Sequence, residues 1–127
     1  MTREVALTLP RNRDFYEIAH LVVGGVAARH DVTFEHLDDL QLALREVLGR
    51  AGEDEPIVTV AMSVDGATMR ARVGPLGGAV TAELARGDGS ELGLRRLLDT
   101  VLDEVELERG DGGDWLQLTK TLPRAEA

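Results

Sequence analysis

The sequence predicts an α+β fold in two layers, a mixed and mostly antiparallel sheet of about five strands with three helices on one face. Two periodicities and their order carry that prediction. Five segments alternate apolar and polar residues, as half-buried strands do, and three repeat apolar residues at i, i+3, i+4 and i+7, as amphipathic helices do. They follow one another as β α α β β α β β. The 127 residues suit one domain spanning 1–127, because domains cluster near ~100–150 residues.

In residues 4–9, Val5, Leu7 and Leu9 alternate with Glu4, Ala6 and Thr8, and Pro10 ends this first strand by withholding an N–H. Phe15, Ile18, Ala19, Val22, Val23 and Val26 then make a helical stripe to about Arg29, with Asn12 placed as N-cap. Gly24 and Gly25 interrupt it, consistent with a close backbone approach or with looser packing. Leu37, Leu40, Leu44, Val47, Leu48 and Ala51 form a second stripe that ends near Gly52, with Asp39, Glu46 and Arg50 on its polar flank. Val58, Val60, Met62 and Val64 alternate with small and polar residues. Asp65 and Gly66 then supply a turn, and Ala67, Met69, Ala71 and Val73 complete a hairpin.

Residues 74–90 are rich in glycine and read as a loop with a helical turn near 81–85. Ser90 is placed to cap a third helix carrying Leu94, Leu97, Leu98 and Val101. Val105 and Leu107, alternating with Glu104, Glu106 and Glu108, give a fourth strand. A glycine turn at 110–113 leads into the last strand at 115–122, which Pro123 ends.

Composition narrows function by exclusion. Lys and Arg number 14 against 23 Asp and Glu, a net charge of -9, so nucleic acid is not expected as a partner and a basic protein surface is favoured. Without cysteine there are no disulfides, thiolate nucleophiles or zinc-thiolate sites. No stretch reaches the ~18 apolar residues of a membrane helix, and the N-terminus lacks a leader pattern, so a cytoplasmic protein without membrane contact is expected. His20, His30 and His36 are ten and six residues apart, a spacing that gives no i, i+4 pair, and no metal site is expected. Asp38, Asp39, Asp103 and Glu104 read as solvated or helix-end positions, and Arg95 and Arg96 as a water-facing pair or a dock for a carboxylate-rich partner. No serine or threonine has His-Asp support for nucleophilic catalysis.

The strand-Pro-helix opening, the helix Leu40-Gln41-Leu42-Ala43-Leu44-Arg45-Glu46-Val47 and the run from Gly93 to Val105 resemble the bacterial anti-sigma-factor serine kinases of the GHKL ATPase superfamily, across nearly the whole chain. The family helix motif is similar to Leu-Ala-x-x-Glu-x-x-x-Asn, where the Glu assists proton transfer and the Asn ligates magnesium. Glu46 matches the Glu, and Arg50 stands at the Asn position. A guanidinium has no lone pair for a metal. It can neutralise a phosphate, pair with Glu46 one turn away, or serve as an ordinary surface ion pair.

The family's second motif resembles Asp-x-Gly-x-Gly, whose Asp accepts a hydrogen bond from adenine. Here the chain reads Gly74-Pro75-Leu76-Gly77-Gly78, with Gly74 in place of the Asp. Gly93, at the entry to the last helix, keeps the third motif, where a glycine beside a helix N-terminus suits phosphate or close packing. The resemblance thus implies that Arg50, Gly74, Gly77 and Gly93 are the remnants of a degenerate nucleotide site, and ATP and magnesium are expected to bind poorly or not at all.

The resemblance implies a pseudo-kinase that sequesters a sigma factor and is released by an anti-anti-sigma protein of STAS type. Phe15, Tyr16 and His20 are expected at the partner or homodimer surface. The alternative is an active ATP-dependent serine kinase that phosphorylates the antagonist, with Glu46 catalytic. A third reading is a dimeric interaction module without a sigma partner.

Overall fold

The structure is a computed structural model that describes residues 4–50, 56–77, 81, 82, 84, 93–110 and 112–122. Strand β1 (Glu4–Pro10) leads into helices α1 (Arg13–Ala28) and α2 (Phe34–Arg50), then the hairpin β2 (Ile57–Asp65) and β3 (Thr68–Leu76). Helix α3 (Leu94–Val101) and the hairpin β4 (Glu104–Gly110) and β5 (Gly113–Thr121) complete the chain. Asn12 caps α1 as expected, its side-chain oxygen accepting from the Asp14 N–H at 2.9 Å. Thr81, Ala82 and Leu84 are helical, in keeping with the expected turn. Gly93 is the N-cap of α3, without a side-chain cap bond. Ser90, Gly52 and Pro123, expected at element boundaries, Ala51 of the second stripe and Gly78 of the second motif lie outside the described residues.

The sheet order is β1-β2-β3-β5-β4. Every pairing is antiparallel, which corrects the expectation of a mixed sheet. The physical reason lies in the crossover. Helix α3 returns the chain so that β4 runs parallel to β3, but the β4–β5 hairpin folds β5 into the gap between them, and no parallel neighbours remain.

The apolar faces of β2, β3 and β5 supply Val58, Val60, Met62, Met69, Ala71, Val73, Leu116 and Leu118 to one core. Ala19, Val23 and Ala27 of α1, Leu40, Ala43, Leu44, Val47 and Leu48 of α2, and Leu94 and Leu98 of α3 fill it from the helix side. The sheet's other face carries Thr8, Thr59, Arg70, Arg72, Gln117 and Glu106, the polar half of each alternation. Gly24 meets only the Gln41 amide nitrogen, at 3.7 Å from a built Cβ, and Gly25 meets nothing within 4 Å. No backbone crowds either glycine, so the looser-packing alternative holds.

One polar tie locks the last strand under the helices. Lys120 Nζ pairs with the Asp39 carboxylate at 2.9 Å and donates to the Val101 carbonyl at 2.8 Å, joining β5 to α2 and to the C-terminal end of α3. Asp39 is therefore engaged rather than merely solvated. Asp103 also works locally, accepting from the Thr121 N–H at 2.6 Å, and Arg95 pairs with Asp99 at 3.2 Å. Replacing Lys120 by methionine is expected to lower the free energy of unfolding by about 1–2 kcal/mol, since both partners lose their donor. Equilibrium urea unfolding measures this, and an unchanged midpoint would contradict it.

Candidate functional site

Helix α2 buries Leu40, Ala43, Leu44, Val47 and Leu48, and that face fixes where its polar flank points. Glu46 and Arg50, one turn apart, form a direct ion pair with both side chains about two-thirds buried, at 33% and 31% exposed. This contact is the one that two of the readings open for Arg50 expect, a pairing that holds Glu46 and an ordinary i,i+4 ion pair. The Arg50 guanidinium sits where the resemblance expects a metal-ligating amide, and it offers no lone pair to a metal. The residues present do not fit a magnesium ion, because a permanent positive charge occupies the ligand position. Among the described residues no group of three His, Asp or Glu is placed to hold a metal.

Helix α2 also packs against β3, which carries Gly74, and against α3, which begins after Gly93. The three motif positions are thus on elements that touch. Gly77 accepts from the Thr81 hydroxyl at 3.0 Å, starting the helical turn that follows. Gly93 accepts from the Leu97 N–H at 3.1 Å as the first turn of α3.

Gly74 has a local explanation that the sequence reading missed. Between Val73 and Leu76 the register against β5 shifts, so Gly74 and Pro75 together oppose Trp115 in a bulge. A Cβ at Gly74 would lie 2.5 Å from the indole, and one at Gly110 would lie 2.6 Å from it. The tryptophan rests between two glycines, with the Arg72 guanidinium 5.2 Å from its ring centroid. Arg11 holds the bulge from below, its Nη2 donating to the Pro75 carbonyl at 2.6 Å and the Ile57 carbonyl at 3.2 Å. An aspartate at 74 is excluded by packing as well as absent from the sequence. The available signal was a tryptophan flanked in register by strand glycines.

A second feature lies between the first two helices. Arg13, Tyr16, Glu17 and His20 of α1 face Arg45, Glu46, Leu48 and Gly49 of α2 across a groove of about 370 Å³. The Gln41 side chain ties down His20: its Nε2 donates to the His20 carbonyl at 2.8 Å, and its Oε1 accepts from His20 Nδ1 at 2.5 Å. Since the amide oxygen only accepts, the proton sits on Nδ1 and the His20 ring orientation is fixed. The structure therefore brings Tyr16, His20 and Glu46 to one space. It does not bring Phe15 there. Phe15, 38% exposed, joins Ile18 and Leu21 on another side of α1, an apolar stripe open to solvent.

No family model matches the chain. Curated relatives do match over most of its length. Serine-protein kinase RsbW of Halalkalibacterium halodurans is 30% identical over 142 residues, covering 96% of this chain and 85% of the relative. The chain belongs to the RsbW serine-protein kinase family. RsbW of Listeria monocytogenes serotype 4a is 27% identical over 134 residues, covering 88% of this chain and 83% of that protein. Among solved structures, the crystal structure of the RsbU and RsbW domains of a Mycobacterium tuberculosis protein superposes with a TM-score of 0.65 at 19% identity, covering 94% of this chain and 32% of the other. That likeness carries the fold, which is the two-layer α+β arrangement expected from the periodicities. Against the RsbW motif pattern expected from the resemblance, Glu46 is kept, and Arg50 and Gly74 depart.

The Gly74 seat makes a direct prediction. Gly74→Ala is expected to cost about 1–3 kcal/mol of stability through overpacking against the indole, and much less when Trp115 is also alanine. A double-mutant cycle in denaturant checks it, and equal costs in both backgrounds would contradict the contact.

Proposed function

We propose that this RsbW-family protein is an anti-sigma regulator that works by binding, holding a sigma factor away from RNA polymerase until an anti-anti-sigma protein of STAS type displaces it. Its magnesium-ATP chemistry is lost or weakened. The observation that carries this reading is the Glu46–Arg50 ion pair, which occupies the metal-ligand position with a cation and engages the carboxylate that would accept the serine proton. The packed Gly74–Trp115 contact supports it, since the position expected to read adenine has no side chain.

The net charge of -9 suits a basic, DNA-facing partner surface and acts mainly by speeding encounter. Tyr16 and His20, brought together in the α1–α2 groove, are the proposed antagonist contacts. Phe15, Ile18 and Leu21 on α1 and Val5 on the edge strand β1 are exposed apolar side chains suited to a homodimer or sigma-binding surface. No described helix is long and apolar enough to cross a membrane.

The second reading, an active serine kinase on the antagonist, is favoured by the retained Glu46 and by the name its relatives carry. Calorimetric titration with ATP separates the two. The binding reading expects no magnesium-dependent heat from the native chain and expects Arg50→Asn to strengthen magnesium-dependent binding by about tenfold or more, a change of ~1.4 kcal/mol. Micromolar, magnesium-dependent binding by the native chain, with phosphate transfer lost in Glu46→Gln, would establish the kinase instead.

A further inference from the structure

The α1–α2 groove has a charge pattern that the nucleotide motifs do not explain. Arg13 reaches it from the first turn of α1 and Arg45 from α2, and neither guanidinium has a hydrogen-bond or ion-pair partner among the described residues. Of the carboxylates facing the same space, Glu46 is held by Arg50, and Glu17 alone is unpaired. His20 is turned toward Gln41 through Nδ1. Two free guanidiniums against one free carboxylate make this a locally positive concavity in a chain of net charge -9.

Gly49 adds an independent observation. It is helical and lines the groove, yet a Cβ built there meets nothing within 4 Å. No neighbour inside the chain requires a glycine, which weakens a helix relative to alanine. What the glycine leaves is bare helix backbone in a groove that Leu48 and Tyr16 also line.

We propose that this groove binds an acidic segment of a protein partner, with an Asp or Glu side chain seated between Arg13 and Arg45 and the segment's backbone passing close over Gly49. Arginine forks match carboxylate geometry in paired hydrogen bonds, and the apolar lining favours a peptide over a bare anion. The inference deepens the anti-sigma reading by assigning the groove to the antagonist, because a basic sigma-factor surface would be repelled by the two arginines.

The test titrates the isotope-labelled full chain with a capped peptide carrying Glu and Leu at helical spacing, followed by NMR. Parallel titrations use the same peptide with Gln for Glu and inorganic phosphate alone. The expected result is saturable binding with shifts at Arg13, Arg45 and Gly49, weakened about tenfold or more in the Arg13→Gln, Arg45→Gln double variant. Gly49→Ala is expected to raise Tm while weakening the peptide, opposite signs that misfolding cannot produce. Unchanged affinity in the double variant, equal binding of the Gln peptide, or equal saturation by phosphate alone would overturn the proposal. Sigma sequestration by the native chain is measured separately, so failure of the anti-sigma reading shows as no sequestration with the acidic peptide still bound.

Discussion

Burial of one face of α2 governs the rest of the molecule. With Leu40, Ala43, Leu44, Val47 and Leu48 in the core, the helix cannot rotate without exposing several apolar side chains, each worth about 1.5–3 kcal/mol when fully buried. That orientation sets Glu46 and Arg50 on one flank, a single turn apart and in contact. The same seat lets Gln41 clamp His20 from one side and Asp39 reach Lys120 from the other. The groove, the ion pair and the strand lock therefore follow from one helix being fixed about its own axis.

Seen from that helix, the protein keeps the fold of its family, while positions 50 and 74 carry residues other than the Asn and Asp that the resemblance leads one to expect. At position 50 a fixed cation stands where the resemblance expects a neutral amide, and it pairs with Glu46 within the chain. At position 74 the missing acid is tied to Trp115, whose indole fills the space any side chain would need. Arg72 over the ring and Arg11 beneath the bulge then hold that corner. Reversing one departure leaves the other in place, so the two are structurally separate.

The elements were legible in the sequence because each obeys a local rule. Alternation marked β2 and β3, Asp65-Gly66 marked their turn, and Asn12 marked the start of α1. Sheet direction was harder to read, since it depends on β5 entering between β3 and β4, a choice made by long-range packing. The site was legible in part. Glu46 and Arg50 stand at i, i+4, a contact the helix guarantees, and Tyr16 and His20 share a helical face. Phe15, their neighbour in sequence, points elsewhere by the same 100° arithmetic. The Trp115 seat, the Gln41 clamp, the Arg11 anchor and the Lys120 lock join residues far apart in the chain, where periodicity carries no information.

The central claim is that Arg50 has taken over the metal's position and holds Glu46. A crystal structure of the chain grown with magnesium and a non-hydrolysable ATP analogue tests it most directly. The account predicts the Glu46–Arg50 contact intact and no divalent ion beside it. A hydrated divalent ion lodged next to Glu46, with Arg50 swung away and phosphate oxygens on the metal, would contradict it.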